Sequence, residues 1–256
     1  MHAPQSELPS LTAEILERVR ARKPRVHCIT NAVAQAFTAN MLLAAGAVPS
    51  MTIAPEEVAA FTASADALLV NLGTFDAERR EAADTAIEVA REEARPWVLD
   101  PVFIDRSQAR ADYARALAER KPAAIRLNGP EFTALAGVEP EGEALTRHAL
   151  ERLTVIALTG AIDMVTDGAR LITVENGHPL MGRVTAMGCA GSALAAACLA
   201  VEDDAVNATA AALLALGVAG EVAAAGSRGP GSLTVAIVDA LYDLDRATLI
   251  ERARVL

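Results

Sequence analysis

The chain has 256 residues, 52% of them hydrophobic and only 3% aromatic, enough to bury about three quarters of its unfolded surface around a core of small aliphatic side chains. Its 23 Lys and Arg against 33 Asp and Glu leave a net charge of −10, which opposes sequence-independent binding of a phosphate backbone and excludes nucleic acid as an expected partner. The same apolar content excludes the disordered and fibrous classes.

In chain order, short aliphatic runs at Arg25–Ile29, 48–52, Ala67–Asn71, Trp97–Asp100, 123–127 and 154–158 predict strands. Between them, 32–45, 55–64, 76–94, 107–119 and 130–136 carry apolar residues at three-to-four spacing and predict helices. Strands that read as near-continuous apolar runs are covered on both faces, so this alternation points to a mostly parallel sheet with right-handed crossovers. Next, 162–166 and 170–174 around Asp167-Gly168 predict an antiparallel hairpin with a two-residue turn. The segments 188–201 and Ala205–Gly226 are Ala-rich helices, and Gly229-Pro230-Gly231-Ser232 breaks the chain before a last amphipathic helix to about Leu244. With no linker, repeat or low-complexity tract, residues 1–256 are expected to form one α/β domain, helices on both faces of the sheet and the hairpin at one side.

Three cysteines, Cys28, Cys189 and Cys198, are too few and scattered for a disulfide framework or a paired-cysteine metal site. A reducing compartment suits them, and the amino-terminal residues lack the basic and apolar regions of a signal peptide, so a cytoplasmic protein is expected. Ala205–Gly226 is the nearest approach to a membrane span, but its Ala content and the interruptions at Asn207 and Glu221 favour a buried helix. His2 and His148 read as surface residues, and His27 and His178 have no spaced metal-binding partner.

Ligands of open parallel sheets bind beyond the carboxyl ends of the strands, and those ends are polar here: Thr30-Asn31, Asn71-Leu72-Gly73-Thr74, Asp100-Pro101, Asn128-Gly129-Pro130-Glu131 and Thr159-Gly160. Each has a local explanation as a turn or cap. Asn128 and Glu131 have the spacing of a capping box, and a residue before proline, such as Asp100, is held extended. Alternatively, Asp100 and Glu131 face one pocket and hold a hydrated Mg²⁺. Thr185 to Ser192 opens an Ala-rich helix whose first amides would stabilise an anion. Cys189 in that positive end is expected to have a lowered pKa and to act as base, nucleophile or dipole, or else to be a small buried hydrophobe. Neither a P-loop nor a G-x-G-x-x-G dinucleotide signature occurs.

Val26-His27-Cys28-Ile29-Thr30-Asn31, then Phe37-Thr38-Ala39-Asn40 and Gly46-Ala47-x-Pro49-x-Met51 form one distinctive opening. Asn71-Leu72-Gly73-Thr74, Leu99-Asp100-Pro101-Val102, Ala123-Ala124-Ile125-Arg126, Asn128-x-x-Glu131, Leu158-Thr159-Gly160, Asp163, Gly188-Cys189 and Gly229-Pro230-Gly231-Ser232 follow in order. Together they resemble the hydroxyethylthiazole kinases, within the ribokinase-like kinases, over about residues 24–235. The resemblance implies a ribokinase-like fold and transfer of the ATP γ-phosphate to the hydroxyl of 4-methyl-5-(2-hydroxyethyl)thiazole, a salvage step of thiamine biosynthesis. It also implies a homotrimer with sites between subunits. By the same resemblance, Met51 would hold the thiazole across a subunit boundary, with Gly188 beside it and Asn31 nearby. Arg126 and Thr159 would contact ATP, Asp100 and Glu131 would organise Mg²⁺, and Cys189 would stand where other ribokinase-like enzymes have an Asp base. Ala186-Met187 departs from the Gly-Thr of the family pattern, and Phe103-Ile104-Asp105 replaces a run of small residues. The alternative expectation is a non-catalytic or altered-specificity small-molecule binding protein on the same scaffold.

Overall fold

The computed structural model describes residues 7–256, so His2 lies outside the described residues. Eight strands form one sheet: β1 (Arg25–Ile29), β2 (Val48–Ser50), β3 (Ala67–Asn71), β4 (Trp97–Asp100), β5 (Ala124–Asn128), β6 (Val155–Thr159), β7 (Asp163–Thr166) and β8 (Leu171–Val174), in the order β2-β1-β3-β4-β5-β6-β7-β8. The first six are parallel, and β7 and β8 add antiparallel. Strand residues alternate between two cores. Val26, Cys28 and Leu69 join the first, while Ile29, Leu68 and Val70 join the second.

Against the first face pack α1 (Leu8–Arg22), α2 (Gln35–Ala45), α8 (Met187–Leu199), α9 (Ala205–Gly226), α10 (Pro230–Asp243) and α11 (Arg246–Arg252). Against the second pack α3 (Val58–Ala63), α4 (Ala77–Glu92), α5 (Gln108–Ala118), α6 (Gly129–Ala136) and α7 (Gly142–Arg152). The expected sheet, with helices on both faces, is thus present. Side-chain caps start several helices, as at Asp76 on α4 and Asp204 on α9, each accepting backbone N–H groups that a helix start leaves unpaired. Helix α9 is long and apolar enough to cross a membrane, yet 78% of that stretch is buried inside the protein.

Four local expectations change. Strand β2 stops at Ser50 because the Thr52 hydroxyl turns to Glu57 (2.8 Å) and accepts the N–H of Ala54, drawing the chain off the ladder. The hairpin loop has four residues: Thr166 pairs with Leu171, and the Asp167 carboxylate accepts the N–H groups of Ala169 and Arg170. Gly168 supplies its one left-handed position, at φ 91°. Strands β5 and β6 run one residue further than expected, so Asn128 pairs with Thr159 at the last rung. Finally, His148 is buried in α7, edge-on to Phe132 at 5.6 Å, and burial lowers its pKa. The apolar face of α7 places it inward.

Candidate active site

At the carboxyl ends of three neighbouring strands, the sheet register sets Asn71 directly beside Asp100, and a chain of side-chain hydrogen bonds grows from that pair. The Ala34 N–H donates to Asn31 Oδ1 (2.9 Å), and the Asn31 amide donates to Asn71 Oδ1 (2.9 Å) and to the sulfur of Cys189 (3.3 Å). The Asn71 amide then donates to Asp100 Oδ2 (2.6 Å), which also accepts the Ser192 hydroxyl (2.9 Å). Three strand ends and the first turns of α8 are thereby locked into one polar cluster within an aliphatic core. Burial pushes the Asp100 carboxyl above its usual range, opposed by the Arg126 guanidinium and the Ser192 and Asn71 donors.

Cys189 is half-buried in this cluster, and its thiol is pushed up to about 11 by burial and by the Asp100 carboxylate, against which the Asn71 and Asn31 amides count less. The expected lowering is therefore overturned: helix position alone omits a neighbouring carboxylate and the loss of solvent. The thiol is protonated at neutral pH.

Glu131 fulfils its capping reading. Its Oε2 accepts the Asn128 N–H (3.0 Å) while the Asn128 side chain accepts the Glu131 N–H (2.9 Å), a complete capping box on α6. Its Oε1 accepts the N–H of Phe103 (2.9 Å), a residue held at φ 59° in the loop after β4. Burial raises the Glu131 pKa against the donated Asn128 N–H, with the Asp100 charge adding to the rise. Among the described residues, Asp100 Oδ1 takes no protein donor, and each Glu131 oxygen keeps a second lone pair. No group of three His, Cys, Asp or Glu side chains gathers there. Two carboxylates whose hard oxygens have spare acceptor capacity, with no full protein ligand set, fit an Mg²⁺ that keeps most of its waters.

Next to this cluster opens a cavity of about 590 Å³. Arg126 and Thr159 come to it from β5 and β6, Asp163 from β7, Asn176 to Pro179 and Met181 from the loop after β8, Met187 and Gly188 from α8, and Leu213, Leu216 and Gly217 from α9. Helix α8 starts without a side-chain cap, and its first intrahelical bond is the Ala190 N–H to Ala186 O. The amides of Met187, Gly188 and Cys189 thus precede the ladder, and Arg126 lies against Gly188. Its Nε is buried without a partner. A cation beside the positive end of a thirteen-residue helix offers charge and donors suited to an anion.

Of the expected site residues, Arg126, Thr159 and Gly188 line the cavity, and Asn31, Asp100 and Cys189 form the cluster, with Glu131 coupled to Asp100. Met51 stands apart, just past β2 at the edge of the sheet and packed against the first core. Sequence reasoning missed Ser192, although it lies three residues after Cys189 and so on the same face of α8. It also missed Arg110, whose guanidinium gathers the carbonyls of Leu72 (2.8 Å), Gly73 (3.2 Å) and Val102 (3.1 Å) and so ties the loops after β3 and β4 together. Met187, at the departure from the family pattern, belongs to the first core as well as to the cavity wall.

A family model described as the hydroxyethylthiazole kinase family matches residues 16–247. The chain is 43% identical over 243 residues to a probable hydroxyethylthiazole kinase of Agrobacterium fabrum, covering 95% of this chain and 94% of that one. The structure of a hydroxyethylthiazole kinase protein from Pyrococcus horikoshii OT3 matches with a TM-score of 0.92 at 39% identity, over 96% of this chain and 98% of that one. A ribokinase-like superfamily protein from Enterococcus faecalis V583 shares the fold alone, with a TM-score of 0.70 at 13% identity over 91% of this chain and 95% of that one. The expected ribokinase-like architecture is therefore present, and the chain belongs to the hydroxyethylthiazole kinase family.

Proposed function

We propose that the protein transfers the γ-phosphate of ATP to the hydroxyl of 4-methyl-5-(2-hydroxyethyl)thiazole, a salvage step of thiamine biosynthesis. The observation that carries this reading is the junction at α8, where Gly188 lines the cavity and Cys189, the next residue, joins the Asn31–Asn71–Asp100 cluster. ATP occupies the cavity, with Arg126 and Thr159 as its contacts and the free α8 amides at its phosphates. The thiazole alcohol lies against Gly188 and Asn31. Asp100 and Glu131 would hold a hydrated Mg²⁺, which would supply charge neutralisation at the phosphates.

Phosphoryl transfer needs positioning and charge neutralisation more than a strong base. The Cys189 thiol, which burial and the Asp100 carboxylate keep protonated in the metal-free site, orients the acceptor hydroxyl rather than drawing off its proton beforehand. Arg126 and the α8 amides offer donors where negative charge accumulates. Residues 1–256 act as one kinase domain in the cytoplasm, assembled as a homotrimer in which Met51 reaches a neighbour's thiazole site. Supporting that assembly, Val33, Leu43, Val48 and Phe61 are exposed apolar side chains around α2, β2 and α3, the elements flanking Met51.

The test is a coupled phosphate-transfer assay with ATP, Mg²⁺ and a panel of heterocyclic alcohols. The thiazole alcohol is expected to be the preferred acceptor, and Asp100→Asn to lower kcat by roughly a hundredfold or more while the protein stays folded. A near-normal rate for Asp100→Asn excludes its proposed role. Stabilisation by the alcohol without transfer to any acceptor favours the non-catalytic binding protein.

A further inference from the structure

The cavity wall formed by Asn176 and Gly177 is held by residues from far along the chain. Asn176 is buried. Its amide donates to Glu221 Oε1 (3.1 Å) and to the carbonyl of Arg252 (2.8 Å), and its Oδ1 accepts the N–H of Arg254 (2.7 Å). The Gly177 N–H donates to the same Glu221 oxygen (2.8 Å). Arg254 completes the arrangement by donating to Glu221 Oε1 (2.6 Å) and Oε2 (3.2 Å) and to the carbonyl of Glu175 (2.7 Å). Beyond it, Val255 bridges Val174, and Leu256 exchanges backbone hydrogen bonds with Thr173.

On its other side this wall meets α9 with no slack. A Cβ on Gly217 would lie 2.6 Å from the Asn176 carbonyl oxygen, and one on Gly220 would fall on the sulfur of Met181. The wall is therefore wedged between the backbone of α9 and residues 252–256, with the Glu221 carboxylate as the shared acceptor. Leu213, Leu216 and Pro179 give this part of the cavity an apolar lining, which suits a heterocyclic base. Arg126 and the α8 amides suit phosphates.

We propose that Arg254 is a positioning residue for the nucleotide: through Glu221 and Asn176 it sets the wall that receives the base, and so governs affinity for ATP while leaving the alcohol site and the phosphoryl-transfer step alone. This rests on the reading of the cavity as the ATP site. The side chain of Arg254 is half exposed, so its replacement leaves the core untouched. Arg254→Ala is expected to raise the KM for ATP about threefold to tenfold, the scale of one partly exposed ion pair with its hydrogen bonds. The kcat and the KM for the alcohol should stay within a factor of about two. Arg254→Lys should recover part of the loss, and Arg254→Ala combined with Glu221→Gln should cost no more than the larger single change. Calorimetric affinity for ADP should fall by the same factor as ATP KM rises.

An unchanged KM for ATP alongside a lowered melting temperature overturns the proposal and leaves Arg254 as a stability residue. A parallel rise in both KM values also overturns it. A wild-type protein without ATP-dependent transfer or ADP binding sinks the functional reading and this inference together, whereas normal wild-type kinetics with an unaffected variant sinks the inference alone.

Discussion

Replacing Gly188 by Ala separates folding from chemistry in opposite directions. A Cβ built there would lie 2.8 Å from Arg126 Nη1, 3.3 Å from Nη2 and 3.4 Å from Cζ. The nearest of these is too close to persist, and the atoms that must yield belong to the end of a flexible side chain. Gly188 sits in the first turn of α8, where exchanging Gly for Ala removes backbone entropy from the unfolded chain and stabilises the fold by up to about 1 kcal/mol. Under the proposed role of Arg126 as an ATP contact, the displaced guanidinium loses alignment with the phosphates. A hydrogen bond to a charged group contributes about 1.5 to 3 kcal/mol, which at about 1.4 kcal/mol per decade lowers kcat/KM for ATP roughly tenfold to 150-fold. Urea unfolding and initial rates at varied ATP measure the two effects side by side. Unchanged kcat/KM would refute the packing of Arg126 on this turn, and a marked loss of stability would show that backbone, not side chain, had given way.

Two further outcomes follow from the backbone and from burial. Ala186 is held at φ 66°, a left-handed conformation that costs a residue with a Cβ about 1 kcal/mol. Ala186→Gly should therefore raise the unfolding free energy by up to that amount, read as a higher urea midpoint at constant slope, and no gain would reject the strain. His27 is fully buried with Nδ1 on the Ser50 hydroxyl (2.8 Å) and Nε2 without a partner. Burial lowers its pKa from 6.5 to about 4, against the opposing contacts with Thr52 and Ser50. Because the folded value is depressed, its contribution is complete above 6.5 and declines as pH falls toward 4, by about 3 kcal/mol at roughly 1.4 kcal/mol per unit. A His27 imidazole that titrates near 6.5 by NMR would contradict this.

Strands buried on both faces announce themselves as apolar runs, which is why β1, β3 and β4 were legible in the sequence to the residue. Asn128 and Thr159 ended their strands one step later than hydropathy suggested, because a polar residue at the mouth of a site resembles a turn. Helix α7 was hidden by its charged outer face, although Ala144, Leu145, His148 and Ala149 follow helical spacing. Asn31 and Asp100 could be found because strand ends are where such sheets bind ligands. The hydrogen bonds of Ser192 and Arg110 could not, since they depend on how α8 and α5 are set against the sheet. The pKa of Cys189 was misjudged because one element's dipole is visible in sequence while a carboxylate from another strand is not.

The two borders of the sheet differ in a way that constrains how copies of the chain can meet. Along β8, Leu256 already takes the outward N–H and C=O of Thr173, and the Arg254 carbonyl accepts the N–H of Glu175 just beyond it. At the opposite border, β2 has three residues and its middle one, Pro49, lacks an N–H. Among the described residues, a neighbouring chain therefore finds no run of open donors and acceptors on either side, which guards against edge-to-edge pairing of sheets. Any subunit that docks near Met51 must recognise side chains, and its fit is set by their shapes rather than by a shared backbone ladder.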